Sequence, residues 1–262
     1  MSGVLRSAQR AFDAIPFYRG LYGDRPTRDD QVPFISHVTF HRAAGPIDVI
    51  ASSAEIMGAV PCLRRGLCRL PLTILESEKE WRTRIARLRH AMRSLGCPVD
   101  GRLRFAVLSD DATGPFASEL SNCLAWDRSE CSVVFAFGSL ASVRSMLAAI
   151  SPDVIVVTTA SLPLEELRGL GKKLVAIEHI DAMPRPPLRV DRLLVCDELW
   201  IIAAARAGED AYRFNRRTLL VEVEPQGGRL VVTTPGFTLF ALVRYCLGGG
   251  FAVVGPGQIG NV

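Results

Sequence analysis

Between Leu103 and Leu199, short apolar, β-branched runs alternate with amphipathic stretches, and this rhythm constrains the fold more than any other feature of the chain. LRFAVLS (103–109) reads as a buried strand and FASELSNCLAW (116–126) as a helix. SVVFAF (132–137) is a strand, and SLASVRSMLAAI (139–150) a helix with Ser139 near its start. DVIVVTT (153–159), LPLEELRGL (162–170), KKLVAIE (172–178) and RLLVCDEL (192–199) follow as strand, short helix, strand and strand. Apolar runs this short, interleaved with helices, predict βαβ units and a mostly parallel sheet. Ligands of such sheets sit outside the carboxyl ends of the strands. That rule places Ser109-Asp110-Asp111, Thr158-Thr159, Glu178-His179 and Asp197-Glu198 near a candidate site.

The flanks read differently. The first ~70 residues are rich in Pro, Gly and Arg, with AGPIDVIAS and PLTILES as their only strand-like pieces. Ser77 and Glu80 then have capping-box spacing. Trp81, Ile85, Leu88, Met92 and Leu95 recur at helical intervals until Gly96 and Pro98 end the pattern. Arg82, Arg84, Arg87, Arg89 and Arg93 lie off this apolar stripe, as a solvated face or as a surface for an anionic ligand or partner. After Ala211, YRFN, TLLVEVE, RLVVTT and TLFALVRY read as strands of a separate antiparallel layer, with a hairpin signal at Gln226-Gly227-Gly228. The glycine-rich tail GGGFAVVGPGQIGNV adds one last strand. The expected fold is α/β: a mostly parallel βαβ core with a smaller antiparallel β layer at the C-terminus. Its segments are a Pro/Arg-rich part and helix (1–100), the βαβ core (101–200) and the antiparallel layer (201–262), read as one structural unit.

Composition narrows the class. At 262 residues with 48% hydrophobic and 22% charged side chains, a sizeable core can form. Charges interrupt every apolar run before the ~18 residues of a membrane helix. The N-terminus has no signal-type apolar stretch, so a cytoplasmic location without membrane attachment is expected. A net charge of +4 is too mild to imply nucleic acid. Seven cysteines (Cys62, Cys68, Cys97, Cys123, Cys131, Cys196, Cys246) show no zinc-type pairing with His37, His41, His90 or His179. Reduced thiols and no metal site are expected.

The segment Val195–Gly249, VCDELWIIAAARAGEDAYRFNRRTLLVEVEPQGGRLVVTTPGFTLFALVRYCLGG, resembles the phenylacetate-CoA ligase branch of the adenylate-forming enzymes. Members carry a strand ending in Asp, an aromatic-Gly-x-Thr-Glu loop, a hairpin of the form E-V-x-x-x-G-x-L-V-V-T-T, and R-Y-x-x-G-D. Ile15-Pro16-Phe17-Tyr18-Arg19 and Val32-Pro33-Phe34 are similar to the family's opening elements. The resemblance implies a scaffold that makes an acyl-adenylate from a carboxylate and MgATP, usually followed by a thioester.

Four ATP-handling parts of that family have no match here. No Ser/Thr/Gly phosphate loop precedes the arginine-rich helix; Arg64, Arg65 and Arg69 stand there instead, as anion ligands or as a basic surface loop. In the loop that supplies the magnesium ligand, the aromatic becomes Leu199, the glycine Trp200, the threonine Ile202 and the glutamate Ala203. Trp200 is large enough to fill adenine or acyl space, or it packs in the core. The ribose-binding aspartate of R-Y-x-x-G-D becomes Gly249. The small C-terminal domain with a catalytic lysine finds no room before Val262. Each lost polar contact costs about 1.5–3 kcal/mol. The expectation is therefore no ordinary adenylation by this chain alone and no bound ATP, magnesium or other cofactor.

What remains offers few reactive groups. There is no G-x-S-x-G elbow. His179, flanked by Glu178 and Asp181, is a general base or a hydrogen-bonded structural histidine. Asp197, Leu199, Trp200 and Arg244 are candidate substrate contacts, and Asp197 or Glu198 either pairs with Arg244 or ends its strand. Cys196 reads as buried and inert, whereas Cys62 and Cys68 flank the basic loop, where arginines favour thiolate. His37 and His41 lack the glutamate of a metal helix. Three readings follow. One is an ATP-independent catalyst (hydrolysis, acyl transfer or cyclisation) acting in biosynthesis on an aromatic or polyketide-like acyl group. CoA or an acidic carrier protein at the arginine face presents that group. The others are a non-catalytic partner of an active enzyme and a reduced ligase that still binds ATP. An oligomer is compatible with all three.

Overall fold

The computed structural model describes residues 1–36, 38–40, 50–51, 55–56, 58–62, 72–97, 103–109, 114–126, 130–135, 140–158, 164–180, 189–196, 198–225, 228–237 and 239–261. Ser2 caps α1 (Gly3–Ala14), its hydroxyl accepting the Leu5 amide at 3.0 Å. Extended Ile15 turns the chain into α2 (Pro16–Tyr22), which starts on its proline. Neither helix was expected, although Val4, Leu5, Ala8 and Ala11 recur at helical spacing on the buried face of α1.

β1 (Gly58–Cys62) and β2 (Leu72–Glu76) form an antiparallel pair. α3 (Glu78–Ser94) begins with the expected capping box, the Ser77 amide donating to the Glu80 carboxylate at 3.2 Å. It buries the expected stripe of Ile85, Leu88 and Met92. One expectation about α3 needs correction. Arg84 and Arg87 are only 5% and 8% exposed, and only Arg82, Arg89 and Arg93 of the run face solvent. The two buried arginines flank the apolar stripe and reach acceptors beneath it, which offsets part of the penalty of hiding their charge.

β3 (Arg104–Ser109), α4 (Gly114–Trp126), β4 (Glu130–Phe135), α5 (Leu140–Ile150), β5 (Val154–Val157), α6 (Leu164–Leu167), β6 (Lys173–His179) and β7 (Asp191–Cys196) realise the alternation in the expected order. These strands pair in parallel as β4-β3-β5-β6-β7. Then come β8 (Trp200–Ala205), β9 (Ala211–Phe214), β10 (Leu220–Val223), β11 (Arg229–Thr233), β12 (Tyr245–Gly249), β13 (Phe251–Gly255) and β14 (Gln258–Asn261). The large sheet has nine strands in the order β13-β14-β9-β8-β7-β6-β5-β3-β4, and β10-β11-β12 form a separate three-stranded layer. The α/β class with its antiparallel layer stands as expected. Its composition differs: β9, β13 and β14 extend the large sheet, and the tail is a hairpin rather than one strand. TLFALVRY is not a strand along its length; Phe240 makes an isolated bridge to Ile50 and β12 starts at Tyr245.

The period of two sorts the sheet into faces. Phe105, Val107, Val154, Val156, Val175, Leu193 and Val195 meet α3 and α4 on one face. On the other, Ala106, Leu108, Ile155 and Val157 meet α5 and α6 at the parallel end. At the antiparallel end of that same face, Leu194, Ala203, Ala205 and Tyr212 meet α1, α2 and the small layer. Cys97, Cys123, Cys196 and Cys246 are buried free thiols, as expected. No helix among the described residues is long and apolar enough to cross a membrane.

Candidate functional site

The chain leaves β3 toward β4 and leaves β5 toward β6, so neighbouring β3 and β5 part at their carboxyl ends, the place where such sheets bind ligands. Ser109 and Thr158 stand there, both buried. The Thr158 amide and hydroxyl both donate to the Leu108 carbonyl, at 3.0 and 2.9 Å, which turns that side chain inward. Asp110, Asp111 and Thr159 lie outside the described residues, as do Asp197, the basic loop with Arg64, Arg65 and Arg69, and the pair His37 and His41.

On the next strand, Glu178 and His179 face opposite ways. His179 is half-buried at the end of β6, in register with Val195 and on the α3–α4 face. Glu178 is buried on the other face, where it accepts the Tyr212 hydroxyl and lies 3.8 Å from Arg192 Nη1. Arg192 also donates to Tyr212 at 3.2 Å and has no exposed surface. The candidate base and its neighbour thus serve separate surroundings. Arg192, which sits inside an apolar run, was missed because only a partner distant in sequence explains it.

The corner from β7 to β8 holds the remaining candidates. Cys196 pairs with Trp200 and Val195 with Ile201, so a tight turn joins the two strands. The segment expected to be an apolar loop is therefore β8 from Trp200 on, with Ile202 and Ala203 2% and 1% exposed. Trp200 has φ 69°, a left-handed conformation that costs a side chain with Cβ roughly 1–2 kcal/mol. Its ring is buried, and the Arg84 guanidinium carbon lies 5.0 Å from its centroid and 5.6 Å from that of Trp81. Arg84 also pairs with Glu76 and, at 2.5 Å, with Glu119. Burial raises the Glu76 carboxyl above its ordinary value even though Arg84 pulls it down.

Arg87 completes the corner. Its Nη1 donates to the Leu199 carbonyl at 2.9 Å and its Nη2 to the Thr218 carbonyl at 3.4 Å. Burial pushes its pKa down to about 10. The Leu199 amide donates to Cys196 Sγ at 3.3 Å, and the Tyr245 hydroxyl donates to Glu198 at 2.6 Å. A Glu198–Arg244 pair is not what forms. Arg244 reaches Glu222 instead, at 3.3 Å from Nε and 3.0 Å from Nη2. Its Nη1 donates to the carbonyls of Asp29 and Val32, both at 2.7 Å, and its guanidinium covers Phe34 at 4.9 Å. The structure thus brings Leu199 and Trp200 together and links them to β12 through Glu198 and Tyr245, while Arg244 is engaged on the N-terminal segment. At the ribose position, Gly249 is exposed and a Cβ there meets nothing within 4 Å. Among the described residues no cluster of three or more His, Cys, Asp or Glu side chains is placed to hold a metal.

Among solved structures, a 2-hydroxyisobutyryl-CoA ligase in an open conformation, in complex with 2-HIB-AMP and CoA, superposes with a TM-score of 0.70 at 14% identity, over 95% of this chain. This is the fold of an adenylate-forming enzyme. The same ligase in its thioesterification state gives a TM-score of 0.70 at 16% identity over 95% of this chain. The amide bond synthetase McbA from Marinactinospora thermotolerans gives 0.51 at 14% identity, over 73% of this chain and 46% of its own. The chain spans 67% and 62% of the two ligase structures. No family model and no curated protein matches the sequence. The resemblance carried by Val195–Gly249 is therefore borne out as an adenylate-forming fold. The backbone at Trp200, which the sequence resemblance sets against a glycine, has a left-handed, glycine-like conformation.

Proposed function

We propose that this chain does not adenylate carboxylates by itself and handles an aromatic or polyketide-like acyl group without ATP, by hydrolysis, acyl transfer or cyclisation. The observation that carries this reading is the β7–β8 corner. The positions aligned with the family's threonine and magnesium-binding glutamate are Ile202 and Ala203, buried inside β8. An apolar strand offers no hard oxygen ligand for magnesium. Gly249 likewise offers no side-chain acceptor to a ribose hydroxyl. In this reading Asp197, Leu199 and Trp200 border the acyl group, and Arg244 acts through its clamp on the N-terminal segment. Arg64, Arg65 and Arg69 meet an anionic part of the CoA or carrier that presents the group, and His179 serves as general base. The protein needs no cofactor and works in the cytoplasm.

The test has two arms. Isothermal titration with MgATP is expected to give no heat of binding, and a panel of aromatic acyl-CoA thioesters is expected to release CoA without nucleotide. His179→Gln is expected to lower that release at least about tenfold with an unchanged melting temperature. Micromolar MgATP affinity, or ATP–pyrophosphate exchange, would restore the reduced ligase instead. A second reading, a non-catalytic partner of an active enzyme, is favoured by the packing of Trp200 against Arg84, which fills the corner with side chains. It predicts neither ATP binding nor CoA release.

A further inference from the structure

We propose that Glu178 and Arg192 enclose a binding site for one ordered water molecule, which bridges them in the interior beneath the large sheet. The two side chains stand on neighbouring strands, on the same face: Glu178 is in register with Leu194, two residues beyond Arg192. Their approach is not a hydrogen bond, since Glu178 Oε2 and Arg192 Nη1 are 3.8 Å apart. Their hydrogen bonds go elsewhere. Glu178 Oε2 accepts from the Tyr212 hydroxyl, Arg192 Nη1 donates to that hydroxyl at 3.2 Å, and Arg192 Nη2 donates to the Glu209 carbonyl. Glu178 Oε1 and Arg192 Nε remain, both sealed from solvent, and neither has a hydrogen-bond partner among the described residues. Buried polar atoms are as a rule satisfied by protein or by ordered water. Here an acceptor and a donor are orphaned together, on two side chains that already lie side by side.

The sheet makes room at this place. In register with Arg192 stand Ala176 on β6 and Ala205 on β8, so both neighbours in its row end at Cβ. Charge then selects the occupant. A carboxylate and a guanidinium carry no net charge between them, so Glu178 repels an anion and Arg192 repels a cation. The occupant must also donate to Oε1 and accept from Nε. A halide can only accept, and a metal cation or ammonium cannot accept at all. Water does both, and it is small enough to be enclosed by side chains that are 1% and 0% exposed. The site uses none of the side chains assigned to the acyl group, so it holds whether or not the acyl reading does.

The probe is water itself, read by NMR in the full chain labelled with nitrogen-15 at its arginines. The Arg192 Nε–H signal is assigned by its loss in Arg192→Lys. It is expected to show rotating-frame cross-relaxation with the water resonance, of the sign opposite to proton exchange. Glu178→Gln keeps an acceptor at Oε1 and is expected to keep this signal, whereas Glu178→Met removes the acceptor and is expected to lose it. Should Glu178→Met fold poorly, a high-resolution crystal structure of the wild type decides: one density peak is expected about 2.7–3.2 Å from both Glu178 Oε1 and Arg192 Nε. A direct bond between those two atoms with no peak would overturn the proposal. So would a wild-type Arg192 signal without cross-relaxation, its persistence in folded Glu178→Met, or replacement of the peak by bromide in a soaked crystal.

Discussion

The two ends of the nine-stranded sheet are held by different chemistry. At the β4-β3-β5 end, Ala106, Leu108, Ile155 and Val157 meet Val143, Leu147 and Leu167 in a wholly apolar cluster. Around β7, β8 and β9 the interior is threaded by charge: Arg192 with Glu178, Arg84 with Glu76 and Glu119, and Arg87 on two backbone carbonyls. Apolar clusters tolerate volume-conserving exchange, whereas a buried charge is acceptable only with its partner in place. The polar end is thus the brittle one, and it is also the end that carries the corner where the family's nucleotide loop would lie.

The sharpest test of that contrast is Glu178→Ala. It strands Arg192, which has no exposed surface, and is expected to cost about 3–5 kcal/mol in urea denaturation. Replacing both partners, as Glu178→Leu with Arg192→Met, is expected to recover most of the loss. If the double variant is no better than the single one, the pair is not the determinant. At the apolar end, Leu147→Ala is expected to cost about 2–5 kcal/mol through its cavity, but Leu147→Met less than about 1.5 kcal/mol. A large loss from Leu147→Met would erase the distinction between the two ends.

Trp200 belongs to both descriptions. Trp200→Gly removes a buried indole, worth about 3–5 kcal/mol, and returns roughly 1–2 kcal/mol by relieving the left-handed backbone. The expected net loss is about 2 kcal/mol, smaller than an ordinary core tryptophan would give. Trp200→Ala keeps the backbone penalty and is expected to be the less stable of the two. Should Trp200→Ala match or exceed Trp200→Gly in denaturation midpoint, the backbone at this corner carries no penalty.

Legibility in the sequence follows the same divide. From LRFAVLS to RLLVCDEL each element was readable, because burial on both faces leaves a mark in the residues themselves: short, apolar, β-branched runs. Arg84, Arg87 and Arg192 were not readable as core residues, because a charge is buried only by grace of acceptors elsewhere in the chain, at Glu76, Leu199 and Glu178. β8 was misread because its apolar residues were aligned with a polar loop. The motifs that carried the resemblance also prove to be packing elements. Tyr18 accepts from the Val243 amide at 3.1 Å and donates to the Ala241 carbonyl at 2.9 Å, while Arg244 holds Val32 and covers Phe34. Such residues report the scaffold, which is why they announce the fold and leave the chemistry to the corner.

The smallest expected effect is one of pH, at the seam between α3 and β9. His90 is half-buried, and burial, then the neighbouring Arg93, lowers its pKa below the ordinary 6.5, against a backbone hydrogen bond at Phe214. A histidine whose folded pKa is depressed binds fewer protons in the native state than in the unfolded chain. Stability is therefore full above the unfolded value and falls as acid carries the protein below 6.5 toward the folded value. Glu76, whose carboxyl is raised by burial, acts in the opposite sense: its ionisation costs stability as pH rises through its folded value. The two groups change stability in opposite directions with pH, so single variants separate them in a thermal-melt series. His90→Gln is expected to flatten the melting temperature over the range just below 6.5. A slope through that range that survives His90→Gln would move its origin elsewhere, and with it the claim that the polar end of the sheet governs how the protein answers to mild acid.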